Sequence, residues 1–333
     1  MCARTVLLVL LTALTSGCHR LTREDLNRHV ARTAAYWGDF AKKPLIERLR
    51  LPAPPEMLDY IAKENELEGY AERPRAATIS PQFEAEIRQA VVELPPRIQE
   101  LVRDNVAALS FVNDLGGTAY TEYLVDANAG WLVFDVGVLD RPANAWATWR
   151  ENSPFMDDPS MRLIATIAPP DEDTRRIGVE MILLHELGHV IGLGKGMHPN
   201  PKPPRDKRAS DYPFLILSWG LADGKFTSLF DQAMPDRGKV HYYTAPGDKP
   251  PLTLAPALYE ALETTNLPTL YGATNPLDDF AAAFATYVHT VILKRPWQIQ
   301  ILRDNLPVKT YKACWDETRC QEKRALIEKI LKP

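Results

Sequence analysis

One pentapeptide constrains this chain more than any other stretch, and it reads His185-Glu186-Leu187-Gly188-His189. It lies in an apolar run over residues 176–192, which predicts one helix. Histidines four residues apart share one face of a helix, so both imidazoles can bind a single Zn²⁺. Glu186 lies about 100° around the helix and can reach a water on the metal without being a ligand. The pattern is typical of zinc-assisted hydrolysis, in which the metal acidifies the water and the glutamate moves its proton.

The alternative interpretation is a helix that holds two ordinary histidines, since a pattern this short also occurs by chance. The neighbouring side chains favour the metal, because they are apolar on almost every side and predict a buried helix. These neighbours are Met181, Ile182, Leu183, Leu184, Leu187, Val190 and Ile191. A buried glutamate between two buried histidines is costly unless each has a polar partner. A metal and its water would be those partners.

The first residues have the pattern of an export signal. Arg4 precedes a short apolar segment over residues 6–14, and small residues lead up to Cys18. The segment is too short to span a bilayer as a helix. Its end resembles the lipobox of bacterial lipoproteins, which implies cleavage before Cys18 and lipid on that cysteine; plain cleavage nearby is the alternative. We therefore expect a signal peptide at 1–17 and a protein anchored to a membrane of the bacterial cell envelope, facing the periplasm or at the outer membrane.

Cysteine count and charge set further limits. After cleavage and lipidation only Cys314 and Cys320 remain, an even pair in an oxidising compartment, which predicts a disulfide unless both thiols stay reduced. The net charge of −4 and the lack of a long basic run give nucleic-acid binding no electrostatic support.

The remaining pattern predicts an α+β fold. We expect a helical region or linker at 18–78 and a zincin-like metallopeptidase domain at 79–333. Helices are predicted at 81–94 and 95–109, and strands at 118–125, 130–139 and 161–168. Strands gathered before the metal helix indicate a small sheet over it, with an edge strand free to pair with extended substrate, and a helical lower half. The loop-rich insertion 192–270 divides the two halves of the site, a position that often shapes specificity.

A catalytic zinc needs a third protein ligand. The extended pattern HExxHxxGxxH would require histidine where this chain has Lys195, and His198 follows three residues too late. The third ligand must therefore come from another segment, unless His198 reaches the metal by a different path.

A second helix is the better source. Asn275 is the predicted N-cap and Pro276 the first helical residue. Asp278 shares a face with three alanines, which would let this helix lie close to the metal helix and bring the carboxylate to the zinc. Asp279 stays open as an alternative ligand. His289 lies about 16 Å further along the same face, so we expect it to be structural. The residues on that face are Asp278, Ala281, Ala282, Ala285 and His289.

The stretch from Tyr271 to Phe284, behind the pentapeptide, resembles the catalytic domain of the anthrax lethal factor group of zinc metallopeptidases. The shared residues are Tyr271, Gly272, Thr274, Asn275, Asp278, Phe280, Ala281 and Phe284. The resemblance implies that Asp278 is the third zinc ligand and that Tyr271 stabilises the oxyanion of the tetrahedral intermediate. The group carries glutamate at the ligand position, where this chain has the shorter aspartate. Tyr271 as a plain packing residue is the alternative.

These observations predict a lipid-anchored zinc metallopeptidase that acts on peptide or protein substrates. His185, His189 and Asp278 are the expected Zn²⁺ ligands, Glu186 is the general base and Tyr271 the oxyanion donor. A zinc amidase acting on cell-wall peptide would use the same ligands. A non-catalytic, zinc-containing envelope binding protein is the third possibility, and the intact Glu186 counts against it.

Overall fold

The computed structural model describes residues 21–200, 209–222, 225–243 and 249–332. The predicted signal segment and Cys18 lie outside these ranges, so cleavage and lipidation stay predictions. The helices are α1 (Arg23–Asn27), α2 (Ala34–Trp37), α3 (Pro55–Glu68), α4 (Pro81–Val92), α5 (Pro96–Leu101), α6 (Val136–Leu139), α7 (Ala143–Asn152), α8 (Arg175–Gly194), α9 (Ala255–Leu262), α10 (Pro276–Tyr287) and α11 (Gln321–Leu331). The strands are β1 (Leu49–Arg50), β2 (Arg75–Ala76), β3 (Val106–Asn113), β4 (Ala119–Tyr123), β5 (Gly130–Asp135), β6 (Met161–Thr166), β7 (Trp219–Ala222), β8 (Lys225–Ser228), β9 (Gln298–Arg303) and β10 (Leu306–Lys312).

The largest sheet has the strand order β1-β3-β5-β4, with β2 pairing the far end of β3. β1 and β5 run parallel to β3, whereas β4 runs antiparallel to β5 and forms an edge. β4 also packs against α8. The edge strand and the predicted metal helix are therefore neighbours.

The central strand β3 corrects one prediction. The helix expected at 95–109 ends at Leu101, and residues 106–109 begin β3 instead. Apolar residues at 98, 101, 102 and 106 imitate the spacing of a helix face. β3 is buried on both faces almost throughout, so its sequence lacks the alternation that marks a half-exposed strand.

Two cores lie on opposite faces of the sheet. Along β5, Leu132 and Phe134 join the core that contains α8, whereas Trp131 and Val133 join a second core formed with residues 26–61. Successive strand residues point to opposite faces, so the N-terminal region covers the face away from α8. This region supplies β1 and β2 as well as the expected helices. The domain boundary at 78/79 stays a prediction.

Buried polar contacts attach that N-terminal layer to the edge strand. Arg32 is 1% exposed and its Nε lies 3.1 Å from Oε1 of Glu122 in β4. The Tyr60 hydroxyl donates to Oε2 of the same carboxylate at 2.9 Å. Because Glu122 follows Thr121, these contacts hold the strand from one face while Thr121 points to the other.

A second sheet has the order β10-β9-β6 and is antiparallel throughout. β6 confirms the strand predicted at 161–168, but it pairs with β9 rather than with the strands that precede it. Helices α4, α7 and α10 pack against α8. The molecule thus mixes helices with small separate sheets, which is compatible with the predicted α+β class.

Helix α8 is long and apolar enough to cross a membrane, the one helix of the described ranges to meet that test. Yet 83% of its most apolar window is buried inside the fold. We therefore assign α8 as the buried core helix that the sequence predicted.

The predicted disulfide is confirmed. Cys314 and Cys320 are bonded, with their Cα atoms 5.8 Å apart. Trp315, inside the closed loop, packs edge-on against Tyr287 of α10 at 5.4 Å between ring centroids. The disulfide loop therefore supports the helix that carries Asp278.

His289 is a structural histidine, as expected. It is fully buried, and its Nε2 lies 2.7 Å from the backbone oxygen of Ile167. Burial lowers the pKa of His289 to about 4. The neutral ring thus donates to a carbonyl just after β6 and ties the helical turn that follows α10 to the end of that strand.

His289→Gln tests this. A histidine that resists protonation stabilises the fold fully above its ordinary pKa of 6.5, and this contribution is lost as the pH falls towards about 4. Glutamine keeps a donor for Ile167 but does not titrate. The drop in unfolding free energy between pH 6.5 and 4 should shrink by on the order of 3 kcal/mol. Urea unfolding across this range measures it; equal drops in both proteins would contradict the assignment.

Candidate metal centre

The two histidines of the pentapeptide lie where their spacing predicted. Both belong to α8 and face the N-terminal end of α10. His185 is 4% exposed and Glu186 is 2% exposed. The rings of His185 and His189 lie edge to face, with their centroids 4.9 Å apart. The histidine pair is therefore preformed by the helix.

The carboxylate comes from the first turn of α10. Asn275 caps this helix, and its side-chain oxygen accepts the backbone N–H groups of Leu277 and Asp278 at 3.0 Å each. Pro276 follows as the first helical residue, as predicted. Asn275 also donates to Oδ2 of Asp278. The cap thus holds both the backbone and the side chain of Asp278.

Close packing of the two helices brings the three side chains together. A Cβ atom on Gly188 would lie 2.8 Å from Cα of Ala281 and 3.1 Å from its carbonyl oxygen. Only glycine in α8 and a small residue in α10 allow this approach. The predicted close approach along the alanine face of α10 is confirmed at Ala281. Gly188 in the pentapeptide is the residue that makes the contact tightest.

The ligand atoms have the separations of a metal site. Oδ1 of Asp278 lies 3.3 Å from Nε2 of His185 and 3.5 Å from Nε2 of His189. Ligand atoms around a tetrahedral ion with bonds of ~2.0–2.2 Å lie about 3.3–3.5 Å from one another. A charge-assisted hydrogen bond would be shorter, at ~2.7–2.9 Å. One atom from each of the three residues lies within 4.8 Å of the others, so these residues form a candidate metal site.

The charges of these groups also suit a cation. Burial lowers the pKa of His185 to about 4, so this imidazole is neutral and has a lone pair to offer. Burial acts to raise the pKa of Asp278, but its close contacts with His185 and His189 outweigh it and hold the pKa below its ordinary value. Two imidazoles and an ionised carboxylate are a donor set found in catalytic zinc sites.

Asp279 has a different partner. It is fully buried, and both its oxygens bind Nζ of the equally buried Lys323 in α11, at 2.6 and 2.7 Å. Nε1 of Trp219, from the insertion, donates to Oδ2 at 2.9 Å. This ion pair engages both oxygens of Asp279 and holds α10 in place, so Asp278 is the residue that joins the candidate metal site.

His198 also lies outside the ligand group. Its Nδ1 is 2.9 Å from the backbone oxygen of Pro199, and its ring occupies the space that Gly192 leaves by lacking a Cβ. The ring packs near Phe280, with centroids 6.1 Å apart. His198 therefore fills the core beside α8.

Glu186 points to the edge strand. The Thr121 hydroxyl of β4 donates to its Oε2 at 2.8 Å, and lies 3.2 Å from its backbone oxygen. Burial raises the pKa of Glu186 to about 7, against the lowering effects of His189 and Thr121. A carboxyl group with a pKa near neutrality can accept and return a proton at physiological pH.

Tyr271 lies beside His185. Its ring packs on the His185 ring at 5.4 Å between centroids, and on the Tyr242 ring at 4.7 Å. The Arg150 guanidinium sits over its face, 4.2 Å from the centroid. Burial raises the pKa of Tyr271 well above its ordinary value, so its phenol keeps its proton.

The insertion reaches the site through two neighbouring tyrosines. The hydroxyl of Tyr242 donates to Oε2 of Glu151 at 3.1 Å, while the hydroxyl of Tyr243 is 3.2 Å from Oγ1 of Thr118. Cavities of about 590 and 440 Å³ meet at Tyr243 and the loop before β4. Open space therefore lies next to the edge strand.

Sequence reasoning missed Thr121, Arg150 and Glu151. Each lies in an ordinary stretch of β4 or α7, and each reaches the site only through tertiary contacts. A polar Thr121-Glu122 pair within a strand was the available signal, since it departs from the apolar pattern of β5.

Gly188→Ala tests the close packing. The added Cβ must push α10 away and displace Asp278, so metal affinity should fall at least tenfold, as for residues that orient ligands. Chelator competition with Zn²⁺ measures the affinity. Gly117→Ala is the matched control, because nothing lies within 4 Å of a Cβ there. Equal affinities for both variants would contradict the packing argument.

A pair of substitutions separates the adjacent aspartates. Asp278→Ala should abolish stoichiometric metal binding while the protein stays folded. Asp279→Asn should keep the metal but lower the unfolding free energy by about 3–5 kcal/mol, because it leaves the Lys323 charge buried and unpaired. Metal content and urea unfolding give the two readouts; the reverse pattern would reassign the ligand.

Comparisons with known proteins identify no relative of this chain. No protein-family model, curated protein or solved structure matches the chain. The functional assignment therefore depends on the geometry of the site.

Proposed function

We propose that this chain is a zinc-dependent peptidase of the zincin type, related to the anthrax lethal factor group. The observation that supports it is the convergence of His185, His189 and Asp278 within ligand distance of one another, with Glu186 buried beside them. His185, Glu186 and His189 belong to the pentapeptide, and Asp278 belongs to the stretch that resembles the lethal factor group.

The three ligands would hold Zn²⁺ through two imidazole nitrogens and one carboxylate oxygen. When bound, Zn²⁺ lowers the pKa of a water molecule and polarises the carbonyl of the substrate. Asn275 keeps Asp278 turned towards the histidines by donating to Oδ2 and leaving Oδ1 for the metal side.

Glu186 acts first as general base and then as general acid. Its raised pKa suits both steps, since the carboxylate accepts a proton from the attacking water and passes it to the leaving amine. The Thr121 hydroxyl holds the carboxylate in one orientation. Removing this contact would leave Glu186 free to rotate away from the site.

Tyr271 donates a hydrogen bond from its phenol O–H to the oxyanion that forms on the substrate carbonyl. Its position on the His185 ring and its raised pKa support this role, because only the protonated phenol can donate. Edge strand β4 has one side without a strand partner among the described residues, so an extended peptide can add to it next to Glu186.

The place of action is part of the same proposal. The signal-like N-terminus and Cys18 support secretion and attachment by lipid to a membrane of the bacterial envelope, and the Cys314–Cys320 disulfide suits an oxidising compartment. The substrate would then be a peptide or protein outside the cytoplasm.

Glu186→Gln and Tyr271→Phe test the two assigned roles. With Zn²⁺ retained, peptide hydrolysis should fall by roughly 10²–10⁴-fold without the general base and by roughly 10²–10³-fold without the oxyanion donor. Tyr287→Phe is the control for the second change, since that hydroxyl binds Glu328 instead.

The assay should use unstructured proteins and muropeptides in parallel, with fragments identified by mass spectrometry. Cleavage of muropeptides alone would indicate a cell-wall amidase. Equal behaviour of the Glu186→Gln and wild-type proteins, both loaded with zinc, would disprove catalysis and leave a binding protein.

A further inference from the structure

Arg150 is a buried cation at the edge of the candidate metal site. It lies in the last turn of α7 and is 6% exposed. Three rings surround its guanidinium, with centroids 4.2 Å away for Tyr271, 5.6 Å for Trp146 and 5.9 Å for Tyr242. Aromatic faces stabilise a cation but accept no strong hydrogen bond, so they satisfy only part of what a guanidinium requires.

The nearest carboxylate does not complete the arrangement. Oε1 of Glu151 is 3.7 Å from a terminal nitrogen of Arg150, too far for a hydrogen bond. The other oxygen of Glu151 already accepts the hydroxyls of Tyr242 and Tyr259, at 3.1 and 3.0 Å. Glu151 therefore balances the charge from a distance but accepts no hydrogen bond from the guanidinium N–H groups.

One buried hydrogen-bond donor of Arg150 lacks an acceptor. Its Nε is buried without a partner, and within the described ranges its side chain makes no hydrogen bond. Buried donors without acceptors are rare and costly, and each one calls for an explanation. The partner that a guanidinium fits best is a carboxylate, which two parallel N–H groups bind together.

Arg150 lies close enough to the candidate metal site for one peptide to contact both. The Tyr271 ring contacts both groups, since its centroid lies 4.2 Å from the guanidinium carbon of Arg150 and 5.4 Å from the centroid of the His185 ring. The guanidinium carbon is therefore no farther from the centroid of the His185 ring than the sum of these two distances. An extended peptide covers such a distance in about three residues, at ~3.3–3.6 Å per residue.

We propose that Arg150 binds a carboxylate of the substrate, so that the enzyme selects peptides with an acidic group within about three residues of the bond at the metal. The distance to the cleaved bond rests on the proposed peptidase function; the carboxylate binding itself does not. The acidic group is either the C-terminal carboxylate of the peptide or an aspartate or glutamate side chain.

The first experiment changes only the ligand. The zinc-loaded Glu186→Gln protein, in which any hydrolysis should be strongly reduced, is titrated with fluorescent hexapeptide mixtures in four forms. The first pair differs at the C-terminus, which is a free carboxylate in one form and an amide in the other. The second pair differs inside the peptide, with glutamate in one form and glutamine in the other at each internal position in turn. An acidic form should bind at least tenfold more tightly than its neutral counterpart. Preference for the free terminus indicates a C-terminal carboxylate, and preference for internal glutamate indicates a side chain.

The second experiment changes the arginine. Because zinc itself can bind a carboxylate, the preference must also depend on Arg150. Adding Arg150→Met to Glu186→Gln should reduce it to twofold or less, and Arg150→Lys should leave an intermediate value, since lysine keeps the charge but cannot bind with two parallel N–H groups. Arg141→Met is the matched control, because Arg141 lies over the Trp149 ring at 5.1 Å and should leave the preference unchanged.

Two results would overturn the inference: no preference for any acidic form in the Glu186→Gln protein, or a preference that persists undiminished in the Arg150→Met protein. If Arg150→Met fails to fold, Arg150→Lys decides, and an unchanged preference in it is equally fatal. Binding is measured without turnover. Failure of wild-type protein to cleave any peptide would therefore reject the peptidase proposal without deciding the question of Arg150.

Discussion

The contact between Gly188 and Ala281 is the constraint on which the candidate metal site depends. It lets α8 and α10 approach until the backbone of one nearly touches the other, and only then does the short side chain of Asp278 come within 3.3 and 3.5 Å of the histidine nitrogens. An aspartate is one methylene shorter than a glutamate, so it can reach the histidines only across a narrow gap. Close helix packing is the physical means by which this short carboxylate comes near them.

Several buried charges hold the elements that carry the site. Lys323 and Asp279 fasten α10 to the C-terminal helix, and Arg32 with Glu122 fastens the edge strand to the N-terminal layer. Breaking such a pair is strongly destabilising, because removing one partner leaves the other as an unpaired buried charge. They therefore favour one arrangement of α8, α10 and β4 over alternatives that a purely apolar core would tolerate.

Much of the site could be predicted from short-range patterns. The histidine pair, the cap at Asn275 and the disulfide between Cys314 and Cys320 each depend on residues within a few positions of one another. The central strand β3 could not be predicted in this way. It is buried on both faces, so its apolar run has no period to separate it from a helix, and the expected helix at 95–109 continued into it.

What the sequence by itself determined is the local geometry of α8. A helix repeats every ~3.6 residues, so His185 and His189 must share a face and Glu186 must lie beside it, wherever the helix packs. The tertiary structure decided which carboxylate meets them. Asp278 and Asp279 are adjacent and equally acidic, but Lys323, 44 residues further along the chain, binds the second and leaves the first facing the histidines. Tertiary packing likewise placed Thr121 against Glu186 and Arg150 against Tyr271, because contacts between distant segments leave no local pattern in the chain.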